Sequence, residues 1–154
     1  MILSFLSSVN EGSNLLQSQV TVDECLPKYS YVEVRDGQSA FAIKVSKNCN
    51  GRCVITGCSV ASRLQAAHII PHKDVIDYSF ENGLLLRADI HQMFDAGDCA
   101  INPAKKKIFF KENLLDMDPD LRPLNEKNVE GFNHDINWIA FSDRWNKFEE
   151  NKYR

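Results

Sequence analysis

Apolar positions along this chain come in short runs whose spacing changes several times, and no single periodicity dominates. Tyr31 to Val34 alternates like a short strand. After the Asp36-Gly37 turn, Gln38 to Asn48 has helical spacing, with Phe41, Val45 and Ala42 directed inward. Cys53-Val54-Ile55-Thr56, closed by Gly57, reads as a short strand, and Leu64 to Ile70, ended by Pro71, reads as a second. A polar loop follows over 71–83. Leu84 to Ala96 then reads as a helix, with Leu85, Ile90, Met93 and Phe94 as its apolar positions and Gly97 as its stop. Cys99 to Ile101 and Lys107 to Phe110 predict a hairpin around Asn102-Pro103. Residues 111–137, with Pro119 and Pro123, read as loop. Asn137 to Lys147 predicts a last helix carrying Trp138, Phe141 and Trp145 on one face.

This mixture predicts an α+β domain over 35–154, preceded by a weakly patterned arm or dimerisation element over 1–34. A chain of 154 residues, 44% of them hydrophobic, buries enough surface to fold without a metal or a disulfide. It has no apolar run of about 18 residues, so no membrane partner is expected. Met1 to Ser8 is apolar, but it lacks a basic residue and is too short for a signal peptide. The cysteines are odd in number: Cys25, Cys49, Cys53, Cys58 and Cys99. They read as reduced, buried thiols of a cytoplasmic protein. The net charge of −3 argues against nucleic-acid binding through bulk positive charge. The acidic excess lies beyond residue 110, which leaves the middle of the chain free to present a local basic face.

The chemistry gathers in that middle. His68 closes a predicted strand, Asn82-Gly83 marks a turn, and His91 and Asp95 stand four residues apart. That spacing puts an imidazole and a carboxylate on one helix face, able to share a divalent ion. A neutral histidine across a cleft from such an ion is a design for phosphodiester hydrolysis. The metal polarises the phosphate and stabilises the leaving oxygen, and the imidazole takes a proton from water.

Three segments, Ala67-His68-Ile69-Ile70-Pro71, Asn82 to Asp89, and His91-Gln92-Met93-Phe94-Asp95-Ala96-Gly97, together resemble the HNH endonuclease motif in its ββα-metal, or His-Me finger, setting. Gly37-Gln38-x-x-Phe41 and Arg52-Cys53-Val54-Ile55-Thr56-Gly57 are similar to a restriction- or phage-associated subgroup. The resemblance spans roughly residues 35–110. It implies an α+β fold built on a ββα-metal finger with flanking helices and a β-hairpin, acting as a DNA endonuclease. It assigns His68 as general base, Asn82 as the brace of the intervening loop, and His91 as a catalytic metal ligand, with Asp95 as a further ligand. One divalent ion is implied, Mg²⁺ or Mn²⁺ first, with Ni²⁺ or Zn²⁺ as alternatives. The expected ends are 5′-phosphate and 3′-hydroxyl. A homodimer is the economical way to cut both strands.

Two departures bear on that assignment. Ala67 stands where many members carry a further ligand before the base. Metal binding must then rest on His91, Asp95, phosphate and water, or on another group such as Asp89. Many members also hold the finger with a Cys₄ zinc site. Here only Cys53 and Cys58 are present, and Arg87 and Ile90 fall where the second pair would stand, so no structural Cys₄ zinc is expected.

Competing readings stay open for several positions. Arg87 serves either a DNA phosphate or the scaffold. Lys105, Lys106 and Lys107 form either a DNA-backbone patch or a solvated turn. Asp89 suits the helix N-terminus better than a metal. His72 and Asp74 read as loop residues, His134 as structural, and the Trp138, Phe141 and Trp145 stripe as core or dimer packing. The main alternative function is a catalytically silent nucleic-acid-binding or protein-interaction module that keeps the fold.

Overall fold

The computed structural model describes residues 37–154. The arm over 1–34, its Tyr31 to Val34 strand and Cys25 lie outside the described residues. Helix α1 covers 37–48, and Phe41 and Val45 face the core with essentially no exposure, as their spacing predicts. Asn48 anchors the end of α1 by exchanging hydrogen bonds with the backbone of His134 at 2.8 and 3.0 Å.

Strands β1 (Leu64–His68) and β2 (Gly83–Arg87) pair antiparallel, with His68 opposite Gly83 and Leu64 opposite Arg87. Helix α2 (Ala88–Ala96) follows β2 directly and completes a ββα unit. It stops at Gly97, whose φ of +76° is the left-handed conformation glycine adopts freely. Strands β3 (Cys99–Asn102) and β4 (Lys107–Phe110) form the expected hairpin as a second two-stranded sheet. Helices α3 (Glu112–Met117) and α4 (Ser142–Asn151) complete the set.

The structure corrects the sequence reading in four places. Leu84 to Arg87 is strand, not helix. Gly83 to Leu86 are all buried, so the segment shows no alternation, and its apolar run leads straight into the helical period of α2. Cys53 to Thr56 is a tight turn, not a strand. Its ends close through Cys53 N–H to Cys58 O and Gly57 N–H to Cys53 O, both 2.9 Å, and its apolar side chains are buried beneath it. Residues 111–137 are not all loop. They hold α3 and a 3-10 turn over Pro119–Leu124, started by the Asp118 side chain accepting from Asp120 N–H. The last predicted helix is divided into a 3-10 turn over Trp138–Phe141 and α4. Phe141 packs against Phe94 in the core, and Trp145 lies against Phe109.

Alternation along the β1–β2 ribbon gives it two distinct faces. His68 and Gly83 share the face covered by α1, and Gln65 lies on the opposite one, within hydrogen-bonding reach of α2. Gly83 has ordinary extended dihedrals, φ −135° and ψ 146°, so its role is space and not conformation. A Cβ there would lie 2.2 Å from Val45 Cγ2 and 3.0 Å from the Phe41 ring. Gly83→Ala is therefore expected to cost about 1–3 kcal/mol in denaturant unfolding, as overpacked cores do. Adding Val45→Ala should give a double variant less destabilised than the sum of the two single changes. A Gly83→Ala protein as stable as the parent would contradict this packing.

Candidate active site

The His68 ring lies flat on Phe41 of α1, with centroids 4.0 Å apart and planes 9° from parallel. His72 and Tyr78 approach it edge-on at 5.7 and 6.1 Å, and His72 Nε2 is 2.7 Å from the Tyr78 hydroxyl. His68 Nε2 is buried and makes no hydrogen bond among the described residues. Burial is the first cause that lowers the His68 pKa, and His72 adds to it. Asp77 and Asp95 oppose, and His91 lowers it slightly further. The ring is thus held toward its neutral form, which keeps a lone pair available.

Asn82 holds the loop that returns from His68. It is 2% exposed, and its Oδ1 accepts Ile70 N–H at 2.8 Å. Its Nδ2 donates to Ile70 O at 3.4 Å and Asp77 O at 3.3 Å, while its own carbonyl accepts Ile69 N–H at 2.9 Å. The bracing expected of this side chain is thus made through the backbone just after His68.

On α2, His91 Nε2 is 3.1 Å from Asp95 Oδ2, as their four-residue spacing predicts. Two neighbouring ligands of an ion bound at about 2.1 Å stand roughly 3 Å apart, so this pair suits one divalent cation. His91 Nδ1 faces Gln65 Oε1 at 2.8 Å. That acceptor calls for the proton on Nδ1 and leaves Nε2 free to ligate. Among the described residues no group of three or more His, Cys, Asp or Glu is placed to hold a metal, so at this place they offer a pair of donors and not a cage. His68, His91 and Asp95 line one cavity of about 670 Å³, with Lys73 at its edge.

Arg144 of α4 also lines that cavity, and the sequence reading passed over it. Its Nε donates to Ile69 O at 2.7 Å and its Nη1 to Phe94 O at 3.0 Å. Its Nη2 reaches both His68 O at 3.2 Å and Asp95 Oδ1 at 3.1 Å. Gln65 was missed as well. Its polar position on a strand gave a hint, whereas a single arginine on an amphipathic helix carries no such signal.

The other singled-out residues lie elsewhere. Arg87 makes a two-pronged ion pair with Asp89, at 2.6 and 2.7 Å, which holds the Asp89 carboxyl below its usual range. Lys105 and Lys106 are exposed on the β3–β4 turn, where Lys106 lies over Trp138 at 4.6 Å, and Lys107 is half-buried. They line no part of the His68 cavity. Cys49, Cys53 and Cys99 are buried and Cys58 partly so. Burial pushes the Cys49 thiol up to about 11 and raises Cys99 further. Where a zinc-binding knuckle would use sulfur, Cys53 Sγ accepts Thr56 N–H and Thr56 Oγ1 accepts Cys58 N–H.

Residues 53–102 match the model of the HNH endonuclease family. The matched segment spans 50 of the 154 residues and contains the β1–β2–α2 unit, so the likeness to that family lies in the finger, and the α+β architecture is consistent with a ββα finger with flanking helices. Among solved structures, the modification-dependent TagI restriction endonuclease superposes with a TM-score of 0.52 at 20% identity, over 69% of this chain and 36% of that one. That likeness is one of fold, and this chain spans only about a third of that enzyme's length. No curated protein sequence matches.

The bracing by Asn82 has a measurable consequence. Asn82→Ala leaves the Ile70 N–H without its side-chain acceptor, at a cost of about 1–3 kcal/mol for a buried group. Denaturant unfolding should show that loss, and native-state hydrogen exchange should show faster exchange at Ile70. Unchanged exchange at Ile70 would contradict the brace.

Proposed function

We propose that this protein is a metal-dependent DNA endonuclease in which His68 is the general base. The observation that carries this reading is the His68 ring, stacked on Phe41 and lining the same cavity as the His91–Asp95 donor pair. The neutral His68 imidazole takes a proton from water as the water oxygen bonds to phosphorus. The bond from phosphorus to the 3′ oxygen breaks, and that oxygen acquires a proton from solvent. The ends are a 5′-phosphate and a 3′-hydroxyl.

His91 Nε2 and Asp95 Oδ2 would hold one divalent ion, Mg²⁺ or Mn²⁺ first and Ni²⁺ or Zn²⁺ as alternatives. When bound, it supplies positive charge to the phosphate and to the departing oxygen. Phe41 keeps the base flat against α1, and Asn82 keeps the loop after it closed. Lys73 is a cation at hand for a phosphate at the cavity edge. Lys105 and Lys106 are exposed cations for contacts to the DNA backbone beyond it. Arg87 is spoken for by Asp89 and serves the scaffold. Double-strand cutting requires two such sites, which a homodimer supplies.

Ala67 keeps the silent-module alternative in play, since that position has no exposure and offers no ligand. Supercoiled plasmid at low salt, with Mg²⁺, Mn²⁺, Ni²⁺, Zn²⁺ or EDTA, separates the two. Wild type should nick or linearise the plasmid with a divalent metal only. His68→Ala should lower the rate at least about 100-fold, the lower range of general-base contributions, in a protein that circular dichroism shows to be folded. No cleavage by wild type with any of these metals would favour the silent module.

A further inference from the structure

One chain of polar contacts begins and ends on β1. Gln65 accepts from His91 Nδ1, and His91 Nε2 faces Asp95 Oδ2. Asp95 Oδ1 accepts from Arg144 Nη2, which also donates to the carbonyl of His68. The chain thus joins the metal-ligand pair on α2 to the backbone of the base on β1. Its closing member lies on α4, outside residues 53–102 that match the family model.

We propose that Arg144 is a positioning residue: it fixes the Asp95 carboxylate relative to the strand that ends in His68, and so sets the donor pair that meets the metal. This rests on the metal-holding role proposed above for His91 and Asp95. The Asp95 side chain is 54% exposed and stands in the last turn of a nine-residue helix, so without a partner it is free to turn toward solvent. Arg144 is 16% exposed and held on four sides. Its donors reach the carbonyls of His68, Ile69 and Phe94 as well as the carboxylate, and its guanidinium carbon lies 4.2 Å from the centroid of the Phe94 ring. By occupying Oδ1 it leaves Oδ2, the oxygen facing His91 Nε2, as the donor of that carboxylate. A lysine supplies the charge but not the planar fork that makes these contacts together.

The test uses the full chain without DNA. Mg²⁺ and Mn²⁺ affinities are measured by calorimetry for wild type and Arg144→Lys, with circular dichroism and melting of each protein. The expected result is a folded variant whose metal affinity is about 10–100-fold weaker, the usual effect of losing a partner of a ligand. A folded Arg144→Lys with wild-type affinity overturns the proposal. If the variant does not fold, nitrogen-15 NMR of the wild-type side chains decides. Addition of Mg²⁺ should shift the Arg144 Nε–H and the His91 ring together, at the same concentrations. A His91 shift without an Arg144 shift overturns the role of Arg144 alone. No His91 response to Mg²⁺, Mn²⁺, Ni²⁺ or Zn²⁺ overturns the metal reading, and this inference with it.

Discussion

A missing side chain at position 83 decides how His68 is held. Gly83 faces His68 across the ribbon, and only without a Cβ there can Val45 and Phe41 of α1 come down onto the sheet. That close approach puts the Phe41 ring flat on the imidazole. It also buries Nε2 and removes from the ring the water that would otherwise favour its charged form. Packing, orientation and basicity of His68 therefore follow from one contact between a helix and a strand.

The ribbon then separates two tasks by the alternation of its side chains. One face carries His68 against α1, and the other carries Gln65 to the donor helix α2. The ends of this short ribbon need outside support, because two strands alone are only marginally stable. Asn82 supplies it within the finger by tying the 69–82 loop to itself. Arg144 supplies it from α4 by gathering three carbonyls and a carboxylate. The finger holds the candidate site, while helices on either side of it in sequence fix the site's geometry.

The candidate residues of the site were singled out by their types and spacing. The structure places His68 at the end of β1, Asn82 just before β2, and His91 and Asp95 on one face of α2, and α1 and the hairpin followed from simple periodicity and turn chemistry. The second strand of the finger was not legible. A strand covered on both faces has no alternation, so Leu84-Leu85-Leu86 merged with the helix behind it. Cys53-Val54-Ile55 looked like a strand because burial, and not extension, made it apolar. Arg144 was invisible for a different reason. It lies 76 residues from His68, and along the sequence it looks like Lys147 or Lys152 on the same helical stretch. Only the folded chain turns it inward.

The account depends on His68 being a desolvated, neutral imidazole on Phe41. A nitrogen-15 NMR titration of the His68 ring in the full, metal-free chain tests this directly. His72 and His91 lower its pKa further, while Asp77 and Asp95 raise it, and burial leads. A folded-state pKa below the ordinary 6.5 keeps the ring neutral as pH falls through that value. The account predicts a midpoint below 6.5. A His68 that titrates at or above 6.5 would be solvated or charge-paired, and would contradict it.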